Sequence, residues 1–230
     1  MEKKLNILLV HGAFGDGAHW KYIIPILVKN GYNVRAVQLP LTSLPDDVKR
    51  ASDFVDSFNG PTLLVGHSYG GAVITGAGHN PSVVGLVYIA AFAPEEGESA
   101  GGLLQIREAP EGAASVIPDA QGFLYVDPKK YHEVFCQGVS DEDALVMALS
   151  QKPIHAQAFG GESGKPAWKV KPSWYQISKQ DKMIPPATEE WFAERIQAKK
   201  VISLDTGHAS LASSPADVAA FILEAAATFN

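Results

Sequence analysis

Apolar residues along this chain fall into two rhythms, short apolar-rich runs and longer stretches that carry only one apolar face. Residues 5–10, 33–37, 62–66, 84–90, 173–177 and 201–204 are runs of the first kind and predict about six strands. Stretches of the second kind lie between them and carry helix-start signals. Asp16 stands where it can cap a helix ending near Asn30-Gly31 and bent at Pro25. Ser43, with Asp46 three residues on, opens a stretch whose Val48, Ala51, Val55 and Phe58 form one stripe. Ser214-Pro215-Ala216-Asp217 combines an N-cap, a first-turn proline and a capping carboxylate ahead of Val218, Phe221, Ile222 and Ala225. Strands alternating with helices predict an α/β fold, a three-layer doubly wound, mostly parallel sheet with helices on both faces.

The alternation breaks once, between the fourth and fifth strands. A structureless loop of that length is implausible in a compact domain, so residues 94–171 are expected to fold as a helical lid inserted into a core of residues 1–93 and 172–230. Residues 128–138 and 140–150 read as its helices, the second capped by Ser140. The insertion point would hang the lid over the carboxyl ends of the strands, where ligands bind in such sheets. Phe92, Phe123, Tyr125, Phe135, Met147, Phe159 and Trp168, with Phe14 and Met183 from the core loops, are the bulky side chains expected to line a substrate pocket.

Composition narrows the function. A chain of 230 residues that is 46% hydrophobic can bury a large core. A net charge of −6 without a Lys/Arg cluster argues against nucleic acid, whose phosphates need a basic face. No run reaches membrane-spanning length, and residues 5–10 are needed as a strand, so Lys3-Lys4 does not open a signal segment. The single Cys136 excludes an intrachain disulfide and suits a reducing compartment. The expectation is a cytoplasmic protein whose partner is a small molecule rather than nucleic acid or membrane, with a homodimer left open.

The chemistry concentrates at Gly66-His67-Ser68-Tyr69-Gly70-Gly71, between an apolar strand and a small-residue helix. Such a Gly-x-Ser-x-Gly turn forces the serine to positive φ and lifts its hydroxyl clear of the sheet at a helix N-terminus. Ser68, Ala72 and Gly76 fall on one face of that helix, small enough to lie close on the sheet. A nucleophilic serine needs a base, an orienting acid and an oxyanion hole. Among seven histidines, His208 follows a strand and a glycine and precedes a helix, which suits a base; His11 and His67 read as loop-packing residues. For the acid, Asp181 lies on the loop after the strand at 173–177, with Glu95, Glu96 and Asp205 as alternatives. The backbone N–H groups of Tyr69 and Ala13, or Phe14 in place of Ala13, could bind an oxyanion.

These motifs resemble those of compact α/β-hydrolases of the esterase and hydroxynitrile-lyase-like branch, over nearly the whole chain. The matching features are His11-Gly12 with Trp20, the serine elbow, Asp181-x-x-Ile184-Pro185, and Gly207-His208 in the chain order serine, acid, histidine. The resemblance implies Ser68 as nucleophile, His208 as base, Asp181 as acid, Ala13 and Tyr69 as oxyanion donors, and neither cofactor nor metal. Branches with an aspartate nucleophile are disfavoured by Ser68. Plant-type hydroxynitrile lyases carry a lysine after the base, where this chain has Ala209. The activity implied is hydrolysis of a small or medium apolar carboxylic ester through an acyl-enzyme. A lyase or cofactor-free oxygenase on the same triad, or a ligand-binding receptor with little turnover, are the alternatives.

Overall fold

A computed structural model describes residues 5–107 and 109–229. The strands are β1 (Asn6–Val10), β2 (Asn33–Val37), β3 (Thr62–Ser68), β4 (Val83–Ala91), β5 (Val116–Pro118), β6 (Phe123–Val126), β7 (Ile154–His155), β8 (Ser173–Ser178) and β9 (Val201–Leu204). The α-helices are α1 (Ile23–Lys29), α2 (Leu44–Asp56), α3 (Tyr69–Ala77), α4 (Ala100–Ile106), α5 (Pro128–Val134), α6 (Asp141–Leu149), α7 (Ala156–Phe159), α8 (Pro186–Arg195), α9 (Ser210–Ser213) and α10 (Pro215–Ala227). Six strands form one sheet in the order β2-β1-β3-β4-β8-β9, and every pairing in it is parallel.

The central strands read as unbroken apolar runs because both of their faces are covered. On one side, Leu8, Leu64, Leu86 and Tyr175 pack with Ala51 and Val55 of α2, Val73 of α3 and Phe192 of α8. On the other, Ile7, Leu63, Val87 and Trp174 pack with Ile23 and Leu27 of α1 and Val218, Phe221 and Ile222 of α10. The chain steps from β1 outward to β2, then returns to lay β3 on the other side of β1. Strand order reverses at that point, and the crevice at the carboxyl ends of β1 and β3 is where such a sheet accepts a ligand.

Three local expectations change. Asp16 caps only a 3₁₀ turn, Gly17–Trp20, by accepting the Ala18 N–H; α1 starts afresh at Ile23, so Pro25 falls in a first turn where its missing N–H is harmless. Ser214 caps no N–H, because its hydroxyl donates to Asp217 Oδ2 at 2.6 Å. The small face of α3 meets α2 rather than the sheet: a Cβ on Gly76 would lie 2.9 Å from a Val48 methyl. Ser43 does cap α2 through the Asp46 N–H.

Residues 94–171 are not wholly helical. Alongside α4–α7 they form a separate antiparallel sheet, β5-β6-β7, whose short strands lack the run length that marked the core strands. This segment is tied to the core by the His155 N–H on the Leu41 carbonyl and by the Trp168 indole N–H on the Pro94 carbonyl. Among the described residues, no helix is long and apolar enough to cross a membrane.

Candidate active site

β3 carries straight into Ser68, whose backbone sits at φ 54°, ψ −125°, and α3 begins at the next residue. A non-glycine residue held there stores strain on the order of 1–3 kcal/mol, so its surroundings must impose it. They do: the Phe92 N–H donates to the Ser68 carbonyl at 3.1 Å, and a Cβ on Gly66 would lie 2.6 Å from the Gly70 carbonyl oxygen. The loop after β1 presses on the same point, since a Cβ on Gly12 would lie 2.6 Å from Ser68 Cβ and 3.2 Å from Ser68 Oγ. Only glycine admits that approach.

Asp181 and His208 come together from the loops after β8 and β9, His208 Nδ1 lying 2.5 Å from Asp181 Oδ2. Both residues are buried. The other carboxylate oxygen accepts the N–H groups of Met183 at 2.6 Å and Ile184 at 2.9 Å, so the loop's own backbone fixes the acid. With Nδ1 donating to Asp181, Nε2 is left as the acceptor of the ring. The remaining acids stand elsewhere. Glu95 pairs with Lys169, Glu96 is exposed, and Asp205 accepts from Gln180 Nε2 at 2.8 Å.

The other loop histidines hold this arrangement in place. His67 Nε2 donates to the His208 carbonyl at 2.9 Å, and burial pushes its pKa well down, so it stays neutral. His11 accepts the Leu39 N–H on Nε2 at 3.0 Å, which leaves Nδ1 to donate to the Gly12 carbonyl at 2.8 Å. Burial lowers the His11 pKa to about 4.

Two anchors on the oxyanion side escape sequence reasoning. The Tyr69 phenol donates to Asp47 Oδ2 at 2.8 Å, while Asp47 Oδ1 accepts the Leu41 N–H at 2.8 Å. Burial raises the Asp47 carboxyl pKa, and these two hydrogen bonds oppose the rise. Its signal in the sequence was an acid in register with the buried positions Leu44, Ala51 and Val55 of α2. The second anchor is Tyr131 of α5, whose hydroxyl donates at 2.8 Å to the carbonyl of Phe14, a residue at φ 62° beside Ala13. Nothing local in the sequence marks that contact.

Ser68 and His208 open into a cavity of about 330 Å³, which Ala13, Phe14, Phe92 and Met183 also line. Residues 94–171 contribute Leu104, Val116, Leu124 and Phe159 to its wall, and among the described residues Gln105 is the one polar side chain there besides Ser68 and His208. Among the described residues, no charged side chain lines it. Five expected contacts, Phe123, Tyr125, Phe135, Met147 and Trp168, fall outside this lining. Phe135 packs edge-on against the His208 ring, centroids 5.0 Å apart, and its carbonyl accepts the Ala209 N–H at 3.0 Å. Trp168 is buried against Pro94, where its indole N–H is spent.

Comparison with known proteins bears on the family and the fold. A carbendazim hydrolyzing esterase of Nocardioides sp. (strain SG-4G) is 33% identical over 126 residues, covering 49% of this chain and 52% of its own. An alpha-hydroxynitrile lyase of Arabidopsis thaliana is 26% identical over 94% of each chain. The solved structure of a pyrethroid hydrolase from Sphingobium faniae JZ-2 superimposes with a TM-score of 0.83 at 23% identity, over 97% of this chain and 98% of that one, and so shares the fold. The family model described as alpha/beta hydrolase matches residues 7–221. Sheet order, strained serine and this match together make the chain a member of the alpha/beta hydrolase family.

Proposed function

We propose that the protein is a cofactor-independent serine hydrolase of a small or medium, uncharged carboxylic ester. The observation that carries the reading is a strained serine and an Asp181-held histidine on the wall of one cavity, which no charged side chain among the described residues lines. Such a cavity desolvates an apolar ester at little cost and offers a carboxylate or ammonium group no partner.

In this reading His208 Nε2 removes the Ser68 proton as Oγ attacks the ester carbonyl, and Asp181 stabilises the imidazolium. The N–H groups of Tyr69 and Ala13 bind the oxyanion, the first helped by the N-terminus of α3. His208 then protonates the leaving alcohol, and a water activated by the same nitrogen releases the acid. General-base help of about 10²–10⁴-fold and a comparable loss on removing one oxyanion donor set the scale of each part. Residues 94–171 serve as a cap that selects the substrate, as their share of the cavity wall suggests.

Cyanohydrin cleavage is less well supported, because the buried residue after the base is Ala209, a methyl group without charge. Burial raises the Cys136 thiol to about 12, so an inert free cysteine is compatible with a cytoplasmic setting. The deciding experiment is labelling with an alkyl fluorophosphonate, followed by peptide mapping and a chain-length series of chromogenic esters. Adduct on Ser68, lost in Ser68→Ala together with ester turnover, is the expected result. Undiminished turnover by Ser68→Ala would refute the reading.

A further inference from the structure

Glu189 lies in the first turn of α8, behind the loop that carries Asp181, and is completely buried. Its Oε2 accepts the Ser178 N–H at 2.9 Å. Its Oε1 is buried as well and receives no hydrogen bond from any described residue. A carboxylate oxygen so placed would be charged, dry and unmatched. The side chain that meets the Glu189 carboxyl is another acceptor, the Asp181 carboxylate, and Glu190 on the same helix adds like charge. Tyr175 also faces Glu189 from β8, but its hydroxyl is spent on the Ala91 carbonyl at 2.5 Å.

The Asp181 side completes the picture. A carboxylate offers about four lone-pair sites. Three are filled, by His208 Nδ1 on one oxygen and by the Met183 and Ile184 N–H groups on the other. One acceptor site on Asp181 thus remains beside the Glu189 carboxyl, one oxygen of which lacks a donor.

We propose that Glu189 is a protonated carboxylic acid at working pH and donates its O–H to the fourth site of Asp181, as a positioning residue for the His208–Asp181 pair. Burial and the neighbouring carboxylate both raise its proton affinity. The proton remains on Glu189 throughout turnover. Its role is to spread the Asp181 charge and to fasten the acid loop to α8, so that Asp181 orients His208 without being free to turn away.

The proposal rests on the reading of Asp181 as the acid, and the test separates the two. Glu189→Gln keeps the shape, an N–H donor for Asp181 and an acceptor for Ser178; kcat and the acid limb of kcat/KM should stay within about 2-fold and unmoved, since one matched hydrogen bond replaces another. An ionised Glu189 predicts the opposite: removing its charge would move the acid limb to lower pH, and that result overturns the proposal. Glu189→Leu removes the donor. Its kcat should fall by about 10-fold at unchanged KM, with the acid limb moved to higher pH because Asp181 holds the imidazolium more strongly. A folded Glu189→Leu enzyme with normal kcat and pH profile would reduce Glu189 to packing. Infrared difference spectra at neutral pH give a readout independent of activity and of that variant's folding: a protonated-carboxyl C=O band in the wild type that Glu189→Gln lacks supports the proposal, and its absence from the wild type refutes it. Normal turnover by Asp181→Asn would instead sink the triad reading, leaving the infrared result to decide Glu189.

Discussion

Each proposed catalytic side chain is held by partners that its own loop or a neighbouring one supplies. Asp181 draws its orientation from two backbone N–H groups of its own loop, and His208 from Asp181, the His67 ring and the edge of Phe135. Asp181→Asn should therefore lower kcat by about 10⁴-fold, because the amide no longer selects the productive imidazole tautomer. Glu95→Gln, which only breaks an ion pair with Lys169, should leave kcat within about 2-fold, as befits a partly exposed pair. Steady-state kinetics on one ester decides both. Tyr69→Phe tests the anchor beneath the oxyanion donor. It strips Asp47 Oδ2 of its partner in a buried site, and urea denaturation should show a loss of about 1–3 kcal/mol.

At the scale of elements, residues 94–171 both shape the cavity and brace the machinery. Leu124 of β6 and Phe159 of α7 line the cavity, whereas Phe135, just past α5, packs behind His208. Leu124→Ala and Phe159→Ala should alter the ratio of kcat/KM between long and short acyl esters while acetyl ester turnover persists. Phe135→Ala should lower turnover of every ester alike and cost about 3–5 kcal/mol of stability, the usual penalty for emptying a buried aromatic site. A chain-length profile that is flat in the first two variants, or tilted in the third, would reverse these assignments. Sequence reasoning placed α5 and α6 within a few residues but missed the small sheet of β5, β6 and β7, because three strands of two to four residues leave no periodic trace.

For the molecule as a whole, buried histidines set the response to acid. His11 is held neutral down to about pH 4, and burial pushes His67 well down too, while the unfolded chain protonates both near the ordinary histidine value of about 6.5. Above that value neither state carries the extra proton. Between about pH 6.5 and 4 the unfolded chain gains protons that the folded one refuses, so stability falls as pH falls, by about 3 kcal/mol for His11 alone. Thermal melts from pH 7 to 4 should show Tm declining through that window. A Tm independent of pH there would mean that the buried rings are solvated.

By itself, the sequence determined the core sheet and marked Ser68 as the proposed nucleophile. Unbroken apolar runs demand strands covered on both faces, and glycines around Ser68 permit only a tight strand-to-helix turn, so local sterics decide the outcome. It also narrowed the base to His208, but left the acid open among Asp181, Glu95, Glu96 and Asp205, because carboxylates on several loops are equivalent until the loops are folded. Tertiary structure alone seats Asp181 against His208, Asp47 beneath Tyr69, Tyr131 on the Phe14 carbonyl and Glu189 behind Asp181. These are contacts between residues 22 to 117 positions apart, apart from the last. Even Glu189, eight positions from Asp181 in the sequence, meets it only because α8 folds back against the end of β8, where burial removes the water that would otherwise satisfy both carboxyl groups.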